Sequence, residues 1–372
     1  MDGAAQTVRK TTHAPTLGVI DRRRAMPLLP GKLPVAFLQQ LLRFRGAPDR
    51  RVILGPAFGQ DAAVIDLGTQ YLILKSDPVT FTADEIGWYA VHVNANDVAV
   101  MGARPAWFQA TIIVPERTSP ATVRTIFRDV DRSARGLGIA VTGGHTEVSP
   151  VVKQPIVAGD MQGVVAKDEL VTAAGARVGD VVLLTKAAGI EGTSIIARSF
   201  ARQARTILGV RGQHEAARFH HVPGLSVVPE ALLAARRGAT AMHDPTEGGV
   251  AAGLYELAVA SRTRLVVDLD AIPVLPHTLR LCAHFGLRPL GLIGSGALLM
   301  TLPPHRVGAL QHALRRRHVP VAVIGRVTAG KGVEARRAGK RVRFEWSQRD
   351  ELTLIGEEVE RPVFRPRLTR RG

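Results

Sequence analysis

Carboxylates recur at short intervals among glycine, proline and small residues in four stretches: GQDAAVID (59–66), KSDPVTF (75–81), VHVNANDVAVMGARP (91–105) and TGGHTEV (142–148). Acidic groups gathered without basic neighbours repel one another by roughly 1–4 kcal/mol per close pair. A divalent cation relieves that repulsion, and Mg²⁺ is commonly held by one or two carboxylates together with phosphate oxygens. The chemistry these stretches point to is a magnesium–nucleotide site built on acids. Asp61 and Asp77 each adjoin an apolar run, and two adjacent strands ending there would set their carboxylates side by side for a metal to bridge. Lys75 would then reach a phosphate. The competing readings are hairpin-edge solvation for Asp61 and Asp66, and a strand-ending turn for Asp77, because the residue before a proline is held extended.

Asn94, Asn96 and Asp97 fall inside a run with helical spacing, where such residues are mildly unfavourable. Asn94 and Asp97 are three apart and share a face. Asp97 also lies on the apolar stripe of Ile86, Ala90, Val93 and Met101. A solvated face would not place a carboxylate there, so a ligand-facing role is expected for it. In TGGHTEV, Gly143 and Gly144 permit close backbone approach, while His145, Thr146 and Glu147 offer metal or phosphate contacts from a loop; the alternative is a plain polar turn. In MHDPTEGGV (242–250), Asp244 and Glu247 stand just ahead of a helix and are candidates for catalytic base or metal ligand. Asp244 or Thr246 would equally serve as that helix's N-cap, and its free N–H groups make an anion site. The lysine motif in GRVTAGKG (325–332) has phosphate-loop spacing but lacks the following Ser/Thr, and it joins strand to strand, so it is expected to be a turn.

These residues need elements to hold them. At 372 residues the chain suggests two domains, with 46% hydrophobic and 22% charged residues, as in ordinary globular proteins. One cysteine, Cys282, excludes an internal disulfide and a cysteine metal cage. No apolar run of spanning length and no signal-like N-terminal core occurs, which predicts a cytoplasmic protein without membrane contact. The net charge of +17 comes mostly from arginines spread over the whole length, with no aromatic residues interleaved in the clusters. Nucleic-acid binding is therefore not expected, and attraction for anionic substrates fits better.

Residues 1–30 form a basic stretch expected to be a flexible arm. A helix is predicted from Leu33 with Gly46 as its stop, a hairpin around Gly68-Thr69, a helix over 84–101, a strand at PAWFQATIIVP, an arginine-rich helix over 118–136, and strands at GIAVTGG and PIVAGDMQGVVA. A second unit begins near Gly175 with DVVLLTK as a buried strand. Strands RLVVDLD, GALLMTL and VPVAVIGRV then interleave with helices, and GVEARRAGKRVRFEW suggests a late hairpin. Strands and helices alternate throughout, giving an α/β or α+β class with domains over 31–170 and 171–330 and an extension over 331–372.

In this order, GKLPVAFLQQLL, GQDAAVID, SDPVTF, VNANDVAVMGARP, TGGHTEV, HDPTEGG, GSGALL and VIGRV resemble the AIR synthase (PurM-like) superfamily, and most nearly its HypE-like, AIR synthase-related branch. The superfamily also includes selenophosphate synthetase and thiamine-monophosphate kinase. The resemblance implies a two-domain PurM-like fold whose N-terminal domain pairs with a second copy into a dimeric β-barrel. The second domain would be a sheet packed with helices, with ATP in the cleft. Asp61, Asp77 and Asp97 would hold Mg²⁺ and the ATP phosphates, with Lys75, Asn94, Gly143, Gly144, His145 and Thr146 near the nucleotide. Asp244 and Glu247 would sit across the cleft. The implied chemistry is phosphoryl transfer from ATP that activates a nucleophile on a small-molecule or protein acceptor, with a hydrogenase-maturation-like partner. A small-molecule kinase or a non-catalytic nucleotide-binding maturation partner are the alternatives. HypE proper ends in a cysteine that carries the group being dehydrated. This sequence ends RPRLTRRG, so self-modifying nitrile synthesis is not expected.

Overall fold

A computed structural model describes residues 28, 30–347 and 349–355. The predicted arm over 1–30 and the basic end beyond 355 lie outside these residues, apart from isolated positions. The first part of the described chain runs α1 (Val35–Leu41), β1 (Val52–Leu54), β2 (Ala63–Asp66), β3 (Gln70–Val79), α2 (Ile86–Val100), β4 (Arg104–Pro115), α3 (Pro120–Leu137), β5 (Ala140–Ser149) and β6 (Ile156–Ala166). The second runs β7 (Val181–Thr185), α4 (Ile190–Ser199), α5 (Ala201–Ala217), α6 (Val228–Arg236), β8 (Ala241–His243), α7 (Gly249–Ser261), β9 (Arg264–Asp268), α8 (Pro276–Phe285), β10 (Leu299–Leu302), α9 (Pro304–Arg315), β11 (Val321–Thr328), β12 (Gly332–Arg337) and β13 (Lys340–Val342). No helix among the described residues is long and apolar enough to cross a membrane.

Two sheets result, in the orders β1-β2-β3-β6-β4-β5 and β13-β12-β9-β11-β7-β10-β8. The class is mixed α/β. The hairpin at Gly68-Thr69 forms as expected, with Ala63 opposite Leu74, and GRVTAGKG ends β11 and turns over 329–331 into β12. Among the described residues β5 and β1 stand at the two ends of the first sheet's strand order.

The packing of α2 on the first sheet decides where the acids lie. Strand β6 alternates strictly, and its buried positions are Val157, Gly159, Met161, Gly163 and Val165. The two glycines are steric requirements. A Cβ on Gly159 would lie 2.4 Å from Asn94 Nδ2, and one on Gly163 would lie 2.8 Å from Val98 Cγ1. Backbone thus meets helix directly, and α2 is buried on nearly every side rather than along one stripe. Helix α3 covers it with the amphipathic face of Ile126, Val130 and Ala134, capped by Ser119 and ended by Gly138 at φ 70°. One core then continues from this layer into Leu183, Met242 and Met300 of the second sheet.

Three local expectations are corrected. Helix α1 stops at Leu41, well before Gly46. TGGHTEV is not a loop after a strand but the body of β5, which pairs in parallel with β4 from Trp107↔Ala140 to Pro115↔Ser149. Gly144 is required by that pairing: at φ 144° its missing Cβ would sit 2.1 Å from the Ala110 carbonyl oxygen. Helix α7 is capped neither by Asp244 nor by Thr246. Its N-cap is Gly248 at φ 80°, whose N–H donates to Asp350 Oδ2 at 2.8 Å. Pro245 and Gly248 lie between Asp244 and the helix, and no side chain caps its first turn.

Candidate functional site

Three carboxylates from separate elements converge. Asp61 precedes β2, Asp97 lies on α2 and Asp244 follows β8; each offers an oxygen within 4.8 Å of the others. All three are buried, at 6%, 3% and 1% exposure, so water does little to screen them. Burial pushes the Asp97 carboxyl up to about 7, with Asp77 and Asp61 adding to the shift and Lys75 opposing it. Burial likewise raises Asp244 well above the ordinary range, with Asp97 and Asp61 contributing. Asp61 Oδ2, Asp97 Oδ2 and both Asp244 oxygens have no hydrogen-bond partner. Buried carboxylate oxygens are normally satisfied, so this donor set of hard oxygens fits a magnesium-like cation.

Lys75 Nζ supplies a fixed positive charge at the rim, 3.3 Å from Asp97 and 3.4 Å from Asp77. Burial would lower its pKa, but Asp97, Asp77, Asp61 and Asp244 together raise it, so the ammonium stays charged. The sequence grouped Asp61 with Asp77 and Asp97; in the structure Asp77 pairs with Lys75 and is not part of the three-carboxylate group, where Asp244 stands instead. Asp66 takes the turn role, accepting from Gly68 N and pairing with Lys167 at 2.7 Å. Asn94 is a brace, its Nδ2 donating to the Asp77 carbonyl at 3.1 Å and the Ala90 carbonyl at 2.9 Å. Gly143, Gly144, His145 and Thr146 lie on the exposed edge strand β5, with β6 and β4 between them and β3. Within one chain His145 faces Glu147 at 3.3 Å and is not brought to the acids.

Beyond Asp77 a cavity of about 160 Å³ opens, lined in part by Lys32, Tyr89, Glu191, Thr246, Glu247 and Ser295. Burial raises Glu247, with Lys32 opposing. Glu191 is pushed up to about 7 by burial, and its Oε2 has no partner.

Several residues here were not singled out from sequence. His243 stands between two acids, with Nδ1 2.5 Å from Asp61 Oδ1 and Nε2 3.0 Å from Glu256 Oε2. Burial disfavours its charge, but Asp61 and Glu256 raise it well above the ordinary value. Lys32 closes this chain of charges at 3.2 Å from Glu256. Glu256 carried a usable signal: it is the single charged residue in GVAAGLYELAVAS, the argument that marked Asp97. His243 and Glu191 carried none, because their partners are remote in sequence.

Family models described as the N-terminal and C-terminal domains of AIR synthase related protein match residues 59–165 and 177–337. Carbamoyl dehydratase HypE of Rhodobacter capsulatus is 29% identical over 320 residues, covering 85% of this chain and 89% of that protein. The protein of the same name from Bradyrhizobium diazoefficiens is 30% identical over 268 residues, covering 70% and 74%. A solved structure of hydrogenase maturation protein HypE in complex with ATP superposes with a TM-score of 0.66 at 25% identity, covering 79% of this chain and 90% of that one. AaThiL complexed with AMPPCP and TMP shares the fold, with a TM-score of 0.65 at 20% identity over 84% and 94% of the two chains. The two domain matches, in order and over most of the chain, place this protein in the AIR synthase-related family, as a HypE-like member with a PurM-like fold.

Proposed function

We propose that the chain is a Mg²⁺- and ATP-dependent enzyme of the HypE-like branch that activates an acceptor oxygen by phosphoryl transfer from ATP. The observation that carries this reading is the set of buried, unpartnered carboxylate oxygens on Asp61, Asp97 and Asp244 beside Lys75. Its relatives include a HypE solved with ATP. Bound by the three aspartates, Mg²⁺ would neutralise phosphate charge and polarise the transferring group.

The protein's own residues do the rest. Lys75 keeps its charge and orients a phosphate. Asn94 fixes the backbone of Asp77 and so the position of the strand end. Glu247, raised by burial, accepts the acceptor's O–H proton in the adjoining cavity. The freed oxygen then bonds to the γ-phosphorus as the bond to ADP breaks. Cys282 is not the nucleophile, since it is buried in α8 with its thiol pushed up to about 12.

The likeness to a hydrogenase maturation protein supports a maturation-type partner protein. Exposed Val52 and Ile53 on β1, and Val141 and Val148 on β5, leave both sheet edges apolar, which supports pairing with a second copy. The test is ATP turnover with product analysis across small-molecule and protein acceptors, comparing wild type with Asp97→Asn. Turnover lost in the variant supports the reading, and unchanged turnover removes Asp97 from the site. A stable phosphorylated product identifies a kinase; free phosphate with a dehydrated or ligated product identifies the HypE-like course.

A further inference from the structure

A second group of metal-ligating side chains lies apart from the three aspartates. Glu85, at the N-terminus of α2, meets His220 and His221, which follow α5; each offers a ligand atom within 4.8 Å of the others. We propose that Glu85, His220 and His221 form a separate site for one divalent transition-metal ion of the zinc class, with its fourth position open to the neighbouring cavity.

The spacing fits. Zinc bonds to nitrogen and oxygen of about 2.0–2.1 Å place ligand atoms about 3.3 Å apart in a tetrahedron. His221 Nε2 already stands 3.2 Å from Glu85 Oε2. His220 Nε2 is closer, at 2.5 Å, and the half-exposed Glu85 side chain has room to swing out by the difference.

Tautomer logic points the same way. Ser194 Oγ donates its only proton to the Ala217 carbonyl at 2.8 Å. It must therefore accept from His220 Nδ1, also at 2.8 Å. With Nδ1 spent on the hydroxyl, Nε2 is the ring nitrogen turned toward Glu85, and a cation would take the place of the proton in that contact. Nδ1 held by a hydroxyl while Nε2 faces the metal is the usual support of a histidine ligand.

The surroundings are those of a built site. Trp88 stacks on His92 at 4.0 Å and stands edge-on to His220 and His221 at 5.4 and 4.9 Å, which fixes the ring planes. A cavity of about 370 Å³ lies against Glu85 and His221, with His92, Asp129 and Arg132 in its wall. His92 Nδ1 donates to the Trp88 carbonyl at 2.9 Å, so its Nε2 is an acceptor. Imidazole–carboxylate sets of this kind suit Zn²⁺, Fe²⁺ or Ni²⁺ and not Mg²⁺. Occupancy would also tie the start of α2 to the segment that Asn96 grips at Leu225 and Val227, linking this ion to the helix that carries Asp97.

The experiment is calorimetric titration of untagged, chelator-stripped full-length protein with Zn²⁺ alone, repeated with Co²⁺ to read visible absorption. The intense bands of four-coordinate Co²⁺ are expected, and excess Mg²⁺-ATP, which loads the three aspartates, should not remove them. Glu85→Gln and His221→Ala should each weaken Zn²⁺ at this site by at least about tenfold and abolish those bands, while Asp97→Asn leaves the bands unchanged. Both substituted side chains are over a third exposed, so equal melting in chelator checks that the variants fold. Zn²⁺ binding as tight in the double variant as in wild type, or Co²⁺ bands that persist in it, would overturn the assignment.

Discussion

His243 Nδ1 and Asp61 Oδ1 lie 2.5 Å apart, and this contact holds one acid of the site between strand β8 and the segment entering β2. The other ring nitrogen faces Glu256, so both nitrogens donate and the ring is an imidazolium. Asp61 spends Oδ1 on it and keeps Oδ2 for a cation. His243→Ala should therefore raise the Mg²⁺ concentration needed for half-maximal nucleotide binding by about 10- to 100-fold, as loss of an orienting partner does elsewhere. Mg²⁺ titration at fixed ATP measures it, and a shift under twofold would refute the orienting role.

Magnesium affinity should rise with pH. Burial holds protons on Asp97, at about 7, and on Asp244. A cation must displace them, so binding releases protons and strengthens from about pH 6 to pH 8. Calorimetry in buffers of different ionisation enthalpy reads the proton count directly. Asp244→Asn should weaken binding and reduce the protons released.

Asn96 is fully buried and grips one stretch of backbone twice, its Nδ2 donating to the Leu225 carbonyl and its Oδ1 accepting from Val227 N, both at 2.8 Å. Asn96→Ala strands a buried donor and a buried acceptor, which should destabilise the fold by about 2–4 kcal/mol. Urea denaturation checks the figure. Asn96→Asp keeps the acceptor but sets a second oxygen against the Leu225 carbonyl, and should be no better than alanine.

Glu191 makes stability depend on pH in a stated direction. Its pKa, about 7 when folded against 4.5 for an exposed glutamate, means the folded form binds the extra proton. Stability is then full below pH 4.5 and falls as the pH rises to about 7. Glu191→Gln should remove that fall, a gain of up to about 3 kcal/mol at pH 8 and none at pH 4. Denaturation of both proteins at the two pH values, without divalent ions, decides it; a gain of equal size at both would show that ionisation is not the cause.

Much of this was written along the chain. Asp97 betrayed itself as a carboxylate within an apolar helical run, although that helix is buried on nearly every side rather than along the one stripe expected, and it is buried against the other acids. Asp61 lies just before β2 and Lys75 within β3, strands that do pair, and the glycine-lysine run turns over 329–331 between the strands its context implied. These features depend on local period and neighbours within a few residues, which sequence displays.

What only the tertiary structure decided concerns partners far apart. Asp244 replaces Asp77 among the three acids because β8 ends beside α2, 147 residues from Asp97 along the chain. His243 is charged only because Asp61 and Glu256 flank it, and Gly248 caps α7 through Asp350, 102 residues away. Glu85 meets His220 across 135 residues. Spacing along a chain fixes which face a side chain takes; which opposite face it meets is set by how sheets and helices stack, and there the electrostatics of this protein are made.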